Sequence, residues 1–289
     1  MPRFAANLHY LFNEHPFLDR FAAAADAGFR AVEAQVPYHW PASELARRLE
    51  ANGLEMALID TLQGDWDKGE RGLAALPGRE AEFSDTIKRA IEYATVLRCP
   101  CVHVIAGTVP EGADQDTMQK TYLANLAFAA EALAQHRVAA VIEPINPHMG
   151  VVQGGEPYTT YGMRGFYLTS TTQALGAIQA VAHANLHLHL DVYHMQLTEG
   201  RLTDTLRMAM GRREGAGQLR HLQVSSVPGR NEPDGGEINY PYIFDLLDEL
   251  GFAGWVGCEY RPRAGTLEGL GWAARYGIGP QAGAAAGRA

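Results

Sequence analysis

The chain has 289 residues, 47% of them hydrophobic, and a formal net charge of −9. That is enough apolar material for one large α/β barrel or two ordinary domains. The acidic balance argues against nucleic acid or an anionic membrane as the main partner, since both require basic patches. No apolar run approaches the roughly 18 residues that cross a bilayer. The opening MPRFAANLHYLF enters a strand-like pattern at once, without signal-peptide order, so a cytoplasmic location is expected. Cys99, Cys101 and Cys258 lack both redox and zinc spacing and read as reduced core thiols.

Strand-like and helix-like segments alternate along the chain. Strands are predicted at 4–8, 29–35, 55–61, 101–106, 139–145, 186–193, 219–225 and 255–260. The intervening helices are predicted at 17–27, 42–51, 80–97, 117–136, 171–182, 203–210, 242–250 and 267–276. Gly28 and Gly53 stand where left-handed helix stops belong. In the fourth helix Met118, Tyr122, Leu126, Ala129 and Leu133 recur at helical spacing. Eight βα units without a Pro- or Ser-rich linker predict a single (β/α)8 TIM barrel over residues 1–279. Residues 280–289, PQAGAAAGRA, are expected to be a flexible tail. A doubly wound dinucleotide-binding sheet is the competitor. The segment 7–12 after the first strand holds no glycine and no GxxxxGK[ST] occurs, so no nucleotide cofactor is expected.

Four polar residues close short apolar runs: Glu143 after VAAVI, Asp191 after LHLHL, Gln223 in LRHLQVSS and Glu259 after WVGC. Buried without partners such groups cost several kcal/mol. At the C-terminal ends of parallel barrel strands they share one mouth, where active sites sit. Their oxygen donors suit one divalent cation, Mg2+ or Mn2+, with Co2+ also accommodated. The bland readings are a Glu143 paired with a rim arginine, and a Glu259 paired with Arg261. His187 and His189 share a strand face with Asp191 and read more simply as hydrogen-bonded layer residues than as ligands. His194 should lie just past its strand, within reach of a substrate. Arg230, in VPGRNEP, has a planar fork that suits a carboxylate or diol; its bland reading is a surface residue paired with Glu232.

The segments AANL, IEPIN at 142–146, DVYHMQ at 191–196, HLQ at 221–223, PGRNEP at 228–233, GEINY at 236–240 and GCEY at 257–260 resemble the hydroxypyruvate isomerase family, within the xylose-isomerase-like barrels. The likeness spans about Phe4 to Tyr276. It implies a (β/α)8 barrel with one divalent metal held by Glu143, Asp191, Gln223 and Glu259. It also implies Glu143 and Glu259 as the catalytic acid/base pair, with His194 and Arg230 near the substrate. Three departures bear on substrate identity. Ser225-Ser226 stands where the family usually has Ala-Asp, and His148 where members often carry Arg. The stretches before Asp191 and before Gln223 look longer than usual.

The chemistry so implied moves a proton between adjacent carbons of a small hydroxy or oxo acid through an enediolate, from C3 to C2 for hydroxypyruvate. A 2-oxo-tetronate isomerase or a ketose 3-epimerase is the nearest alternative on the same site. A barrel nuclease would need a multi-zinc, His-rich cluster, which the acidic charge and the carboxylate-rich set count against. A non-catalytic sugar-acid binding barrel would bind ligand without turnover. Periodicity leaves a homo-oligomer open.

Overall fold

The computed structural model describes residues 1–148, 162–211 and 218–280. Eight parallel strands close into a barrel in sequence order: β1 (Arg3–Asn7), β2 (Ala31–Ala34), β3 (Glu55–Asp60), β4 (Cys101–His103), β5 (Ala139–Ile142), β6 (Leu186–Asp191), β7 (Leu219–Val224) and β8 (Trp255–Cys258). Parallel neighbours require crossovers, and helices supply them: α1 (Arg20–Asp26), α2 (Ala42–Asn52), α3 (Glu80–Leu97), α4 (Gln115–Ala134), α5 (Thr171–Val181), α6 (Val192–Thr198), α7 (Leu202–Met210) and α8 (Tyr240–Glu249). A 3-10 helix, Glu268–Tyr276, follows β8 in place of a ninth α-helix.

Local chemistry sets the helix starts. Asp114 accepts the Thr117 backbone N–H at 3.0 Å, so α4 begins at Gln115, two residues before the periodic run suggests. Ser170 caps α5 through the Gln173 N–H at 3.2 Å. Several predicted strands run past their true ends: the fourth stops at His103 rather than 106, the fifth at Ile142 rather than 145 and the eighth at Cys258 rather than 260. The sixth strand stops at Asp191 rather than Tyr193, because Asp191 Oδ1 accepts the Tyr193 N–H at 2.9 Å and starts α6. Val192 and Tyr193 favour strands by propensity, but the cap overrides them.

The main apolar core lies between barrel and helices, with Leu8, Leu45, Ile87, Leu126 and Leu190 fully covered. Two small clusters stand apart from it: Ala5, Ala31, Ala57 and Trp255, and Leu58, Cys101, Ala139 and Val141. Two residues further along β1, β2, β4 and β8 come Asn7, Glu33, His103 and Gly257, so the apolar floor gives way to a polar layer at the period of the strand. A side chain on Gly257 would place Cβ 2.3 Å from Glu33 Oε2, so only glycine admits that carboxylate. All three cysteines are free and buried, as expected from their spacing.

Candidate active site

The strand ends bring the expected residues to one cavity of about 310 Å3, whose wall includes Glu143, His194, Gln223, Arg230 and Glu259. Asp191 joins them through Arg230. Arg230 Nη2 donates to Glu259 Oε1 at 2.7 Å and to Asp191 Oδ2 at 3.1 Å. Arg230 is 4% exposed, while Glu232 pairs with Arg263 at 3.4 Å, so the surface reading of Arg230 does not hold. The ion-pair partner of Glu259 is Arg230 rather than Arg261.

Each expected residue has a definite setting. Glu259 Oε1 also accepts from Gln35 Nε2 at 3.0 Å, and no hydrogen bond among the described residues engages its Oε2. Glu143 makes no hydrogen bond among the described residues; its Oε2 lies 3.7 Å from Nδ1 of both His103 and His189. Burial pushes the Glu143 carboxyl well above its ordinary range, and Glu259 and Asp191 push it further. Burial raises Glu259 to about 8, with Arg230 opposing and Asp191 assisting. Asp191 is raised by burial against the pull of Arg230. Three desolvated carboxyls close together thus resist ionising jointly.

His194 is held neutral. Burial, then Arg230, lowers its pKa well below the ordinary imidazole value. Its tautomer follows from Asn146: Oδ1 of Asn146 accepts the His148 backbone N–H at 3.1 Å, so the Nδ2 amide faces His194 Nδ1 at 2.6 Å. Nδ1 is then the acceptor, and Nε2–H points towards Asp191 Oδ2 at 3.7 Å and Glu143 Oε1 at 4.0 Å. In this setting His194 offers a neutral N–H donor and no positive charge to offset a substrate carboxylate.

Gln223 sits in a second network that sequence reasoning missed. Its Nε2 donates to Glu33 Oε1 at 2.7 Å, and its Oε1 faces His189 Nε2 at 2.8 Å. Glu33 also accepts from Asn7 Nδ2 at 2.9 Å and contacts His221 Nε2 at 2.7 Å. Burial, then His221, keeps His189 neutral. Glu33, Asp60 and His103 lie at or near the ends of the apolar runs of β2, β3 and β4, the same pattern that picked out Glu143 and Asp191. Applied to every strand, that signal finds them.

The donor chemistry fits a divalent cation. Ligand atoms of Glu143, Asp191 and His194 lie within 4.8 Å of one another, as do those of His103, Glu143 and His189. Asp60 Oδ1, His103 Nε2 and His189 Nδ1 are buried without a hydrogen-bond partner among the described residues, a cost that a bound group relieves. The amide oxygen of Gln223 keeps a second lone pair beyond the one facing His189. The departures Ser225 and Ser226 are both buried, and Ser226 braces the Arg230 loop, with the Asn231 N–H on Ser226 Oγ at 3.1 Å. His148 is exposed, and the longer stretch beyond it falls on 149–161, outside the described residues. The proposed tail likewise lies outside them from 281 onwards.

Residues 21–276 match the family model described as xylose isomerase-like TIM barrel. The chain belongs to that family. Within it, the chain is 51% identical over 276 residues to the 2-oxo-tetronate isomerase of Cupriavidus necator, covering 96% of this chain and 99% of the relative. It is 41% identical to the hydroxypyruvate isomerase of Escherichia coli, covering 96% of this chain and all of the relative. A crystal structure described as an AP endonuclease, family 2, from Brucella melitensis superposes with TM-score 0.87 at 42% identity, over 96% of this chain and 99% of that one. An L-ribulose 3-epimerase structure, at 22% identity and TM-score 0.71, shares the fold. No helix among the described residues is long and apolar enough to cross a membrane.

Proposed function

We propose that this xylose isomerase-like barrel, acting as one catalytic unit over residues 1–279, is a metal-dependent isomerase of small 2-oxo sugar acids. The observation that carries the reading is the pair Glu143 and Glu259: two carboxyls from opposite ends of the β5–β8 arc line one cavity and are both buried. Carboxyls so placed can take a proton from one carbon of a substrate and return one to its neighbour. Sequence alone ranks hydroxypyruvate first. The 51% identity to a 2-oxo-tetronate isomerase moves that substrate ahead, with hydroxypyruvate second on the 41% relative.

Both acids carry a carboxylate at C1 and a ketone at C2, so one mechanism serves. One glutamate removes the proton from C3 and the other, as a carboxylic acid, delivers one to C2. The hydroxyl proton of O3 passes to O2, leaving the ketone or aldehyde at C3. His194 Nε2–H donates to a substrate oxygen, in the tautomer that Asn146 fixes. Glu143, Asp191, Gln223 and Glu259 would hold one divalent cation, Mg2+ or Mn2+. When bound, that cation supplies Lewis-acid stabilisation of the enediolate charge. Glu33 orients Gln223, and Gln35 orients Glu259.

A nuclease reading has less support, because a phosphate backbone is held by basic surface and the chain carries a net charge of −9. The test is turnover of 2-oxo-tetronate and of hydroxypyruvate in Mn2+-supplemented buffer, followed by NMR. Conversion of either acid that vanishes with EDTA and in Glu143→Gln and Glu259→Gln supports the reading. Folded, metal-loaded protein that converts neither acid contradicts it.

A further inference from the structure

The chemistry leaves one charge unassigned. A 2-oxo sugar acid brings its own carboxylate into a cavity that already holds several, and Arg230 bridges Asp191 and Glu259. A second guanidinium lies on the cavity wall. Arg71 belongs to the loop between β3 and α3, whereas the carboxylates of the proposed acid/base pair come from the ends of β5 and β8.

Arg71 is built in rather than loose. Its Nη1 donates to the carbonyl oxygens of Trp66 at 3.0 Å and Glu70 at 2.7 Å. Its guanidinium carbon lies 3.3 Å from the centroid of the Trp66 ring. The next residue, Gly72, has φ 106° and donates its N–H to Gln63 O at 2.9 Å. A Cβ at Gly72 would come within 2.6 Å of Ile105 O, so the backbone beside Arg71 is pressed against the chain leaving β4. The neighbouring acid Glu70 is paired with Arg79 at 2.9 Å. Among the described residues no carboxylate lies within 4 Å of Arg71, and no hydrogen bond engages its Nε or Nη2.

Nη1 carries two hydrogens, one for each carbonyl. The Nε–H and Nη2–H edge remains, and that edge matches the two oxygens of a carboxylate. A half-buried guanidinium with its fork already fixed loses little freedom on binding. Arg261 also lines the cavity, but it is exposed at the rim, where water screens its charge.

We propose that Arg71, braced on Trp66, binds the substrate carboxylate and makes this site select sugar acids over neutral sugars of equal length. The inference rests on the isomerase reading for its substrate class, but its test does not depend on turnover. Anchoring C1 there would place C2 and C3 relative to the glutamates by binding energy remote from the reacting carbons.

The test is calorimetric titration of the Mn2+-supplemented protein with threonate and with threitol, a four-carbon acid and its neutral polyol. Wild type is expected to prefer threonate. Arg71→Met should weaken threonate by about ten- to a hundredfold, the scale of a lost charged hydrogen bond, and leave threitol unchanged. Arg71→Lys should recover part of the loss and Trp66→Leu should show a smaller one, with circular dichroism and Mn2+ content unaltered. Wild type without a preference for threonate, or Arg71→Met and Arg71→Lys both retaining it, would overturn the proposal. Loss of the preference in a protein that isomerises neither acid keeps the anchor and removes the isomerase reading. Turnover with an unchanged KM in Arg71→Met does the reverse.

Discussion

Gln223 donates its amide N–H to Glu33 Oε1 at 2.7 Å, an amide nitrogen having no lone pair with which to accept. The amide oxygen must then face His189, whose Nε2 becomes the N–H. Glu33 therefore decides which atom of Gln223 is available as a ligand, although it is not itself one of the proposed four.

Glu33→Gln removes that constraint and lets the Gln223 amide turn. Mn2+ affinity should fall by about ten- to a hundredfold, the usual cost of losing a residue that orients a ligand. Calorimetric titration of Mn2+ reads this directly. Unchanged affinity would show that Gln223 does not hold the metal, or that Glu33 does not orient it.

Gly257→Ala attacks the same carboxylate sterically. The new methyl would sit 2.3 Å from Glu33 Oε2 and 2.5 Å from Oε1, on a strand with no room to retreat. Overpacking of this kind costs about 1–3 kcal/mol, and the Mn2+ affinity should drop alongside Tm. A variant with wild-type Tm and metal binding would mean that the Glu33 pocket is looser than described.

Asn146→Ala should release the His194 tautomer. With Nδ1 no longer held by the Asn146 amide at 2.6 Å, the Nε2–H form loses its advantage. kcat is expected to fall by about ten- to a hundredfold, less than the loss of a general acid or base itself, because His194 stays in place. Nitrogen NMR shifts of His194 should show one tautomer in wild type and a mixture in the variant. A mixture already present in wild type would contradict the assignment.

Metal-free stability should depend on pH in a definite direction. Glu259, raised from 4.5 to about 8, binds a proton in the folded state that the unfolded chain has released, so stability falls as pH rises across that window. Glu143 and Asp191 act in the same sense. His189 and His194, lowered from 6.5, oppose them, but only below their unfolded value. The histidine opposition fades as the unfolded imidazoles deprotonate above 6.5, which leaves the carboxyls dominant towards pH 8. Tm in EDTA should fall there, and fall less in Glu259→Gln. Mn2+ should flatten the slope, because the cation takes the place of the proton. A Tm that rises with pH in EDTA would contradict the assignment.

Much of the barrel was legible because each strand is a short apolar run ended by a polar residue, and parallel closure carries those ends to one mouth. Glu143, Asp191, Gln223 and Glu259 were visible on that rule alone. Glu33, Asp60 and His103 obey it too, but Glu33 and His103 stand inside the predicted strands 29–35 and 101–106, which run past the true strand ends. The partner of Arg230 was not legible. Asp191 and Glu259 lie 39 and 29 residues from it, and only the barrel brings them together. The helix after Asp191 was hidden because Val192 and Tyr193 continue a strand by propensity, while the cap that ends the strand is a single side-chain oxygen. The neutrality of His194 depends on burial and on Arg230, neither of which composition reveals.

The most direct test of proton transfer by two glutamates is isomerisation of 2-oxo-tetronate in D2O, followed by NMR at C2 and C3. Wild type should give product carrying deuterium at C2. One of the variants Glu143→Gln and Glu259→Gln should exchange the C3 proton of the substrate without forming product, while the other exchanges nothing. Product formed in D2O with the original proton fully retained, or turnover surviving in both variants, would contradict it.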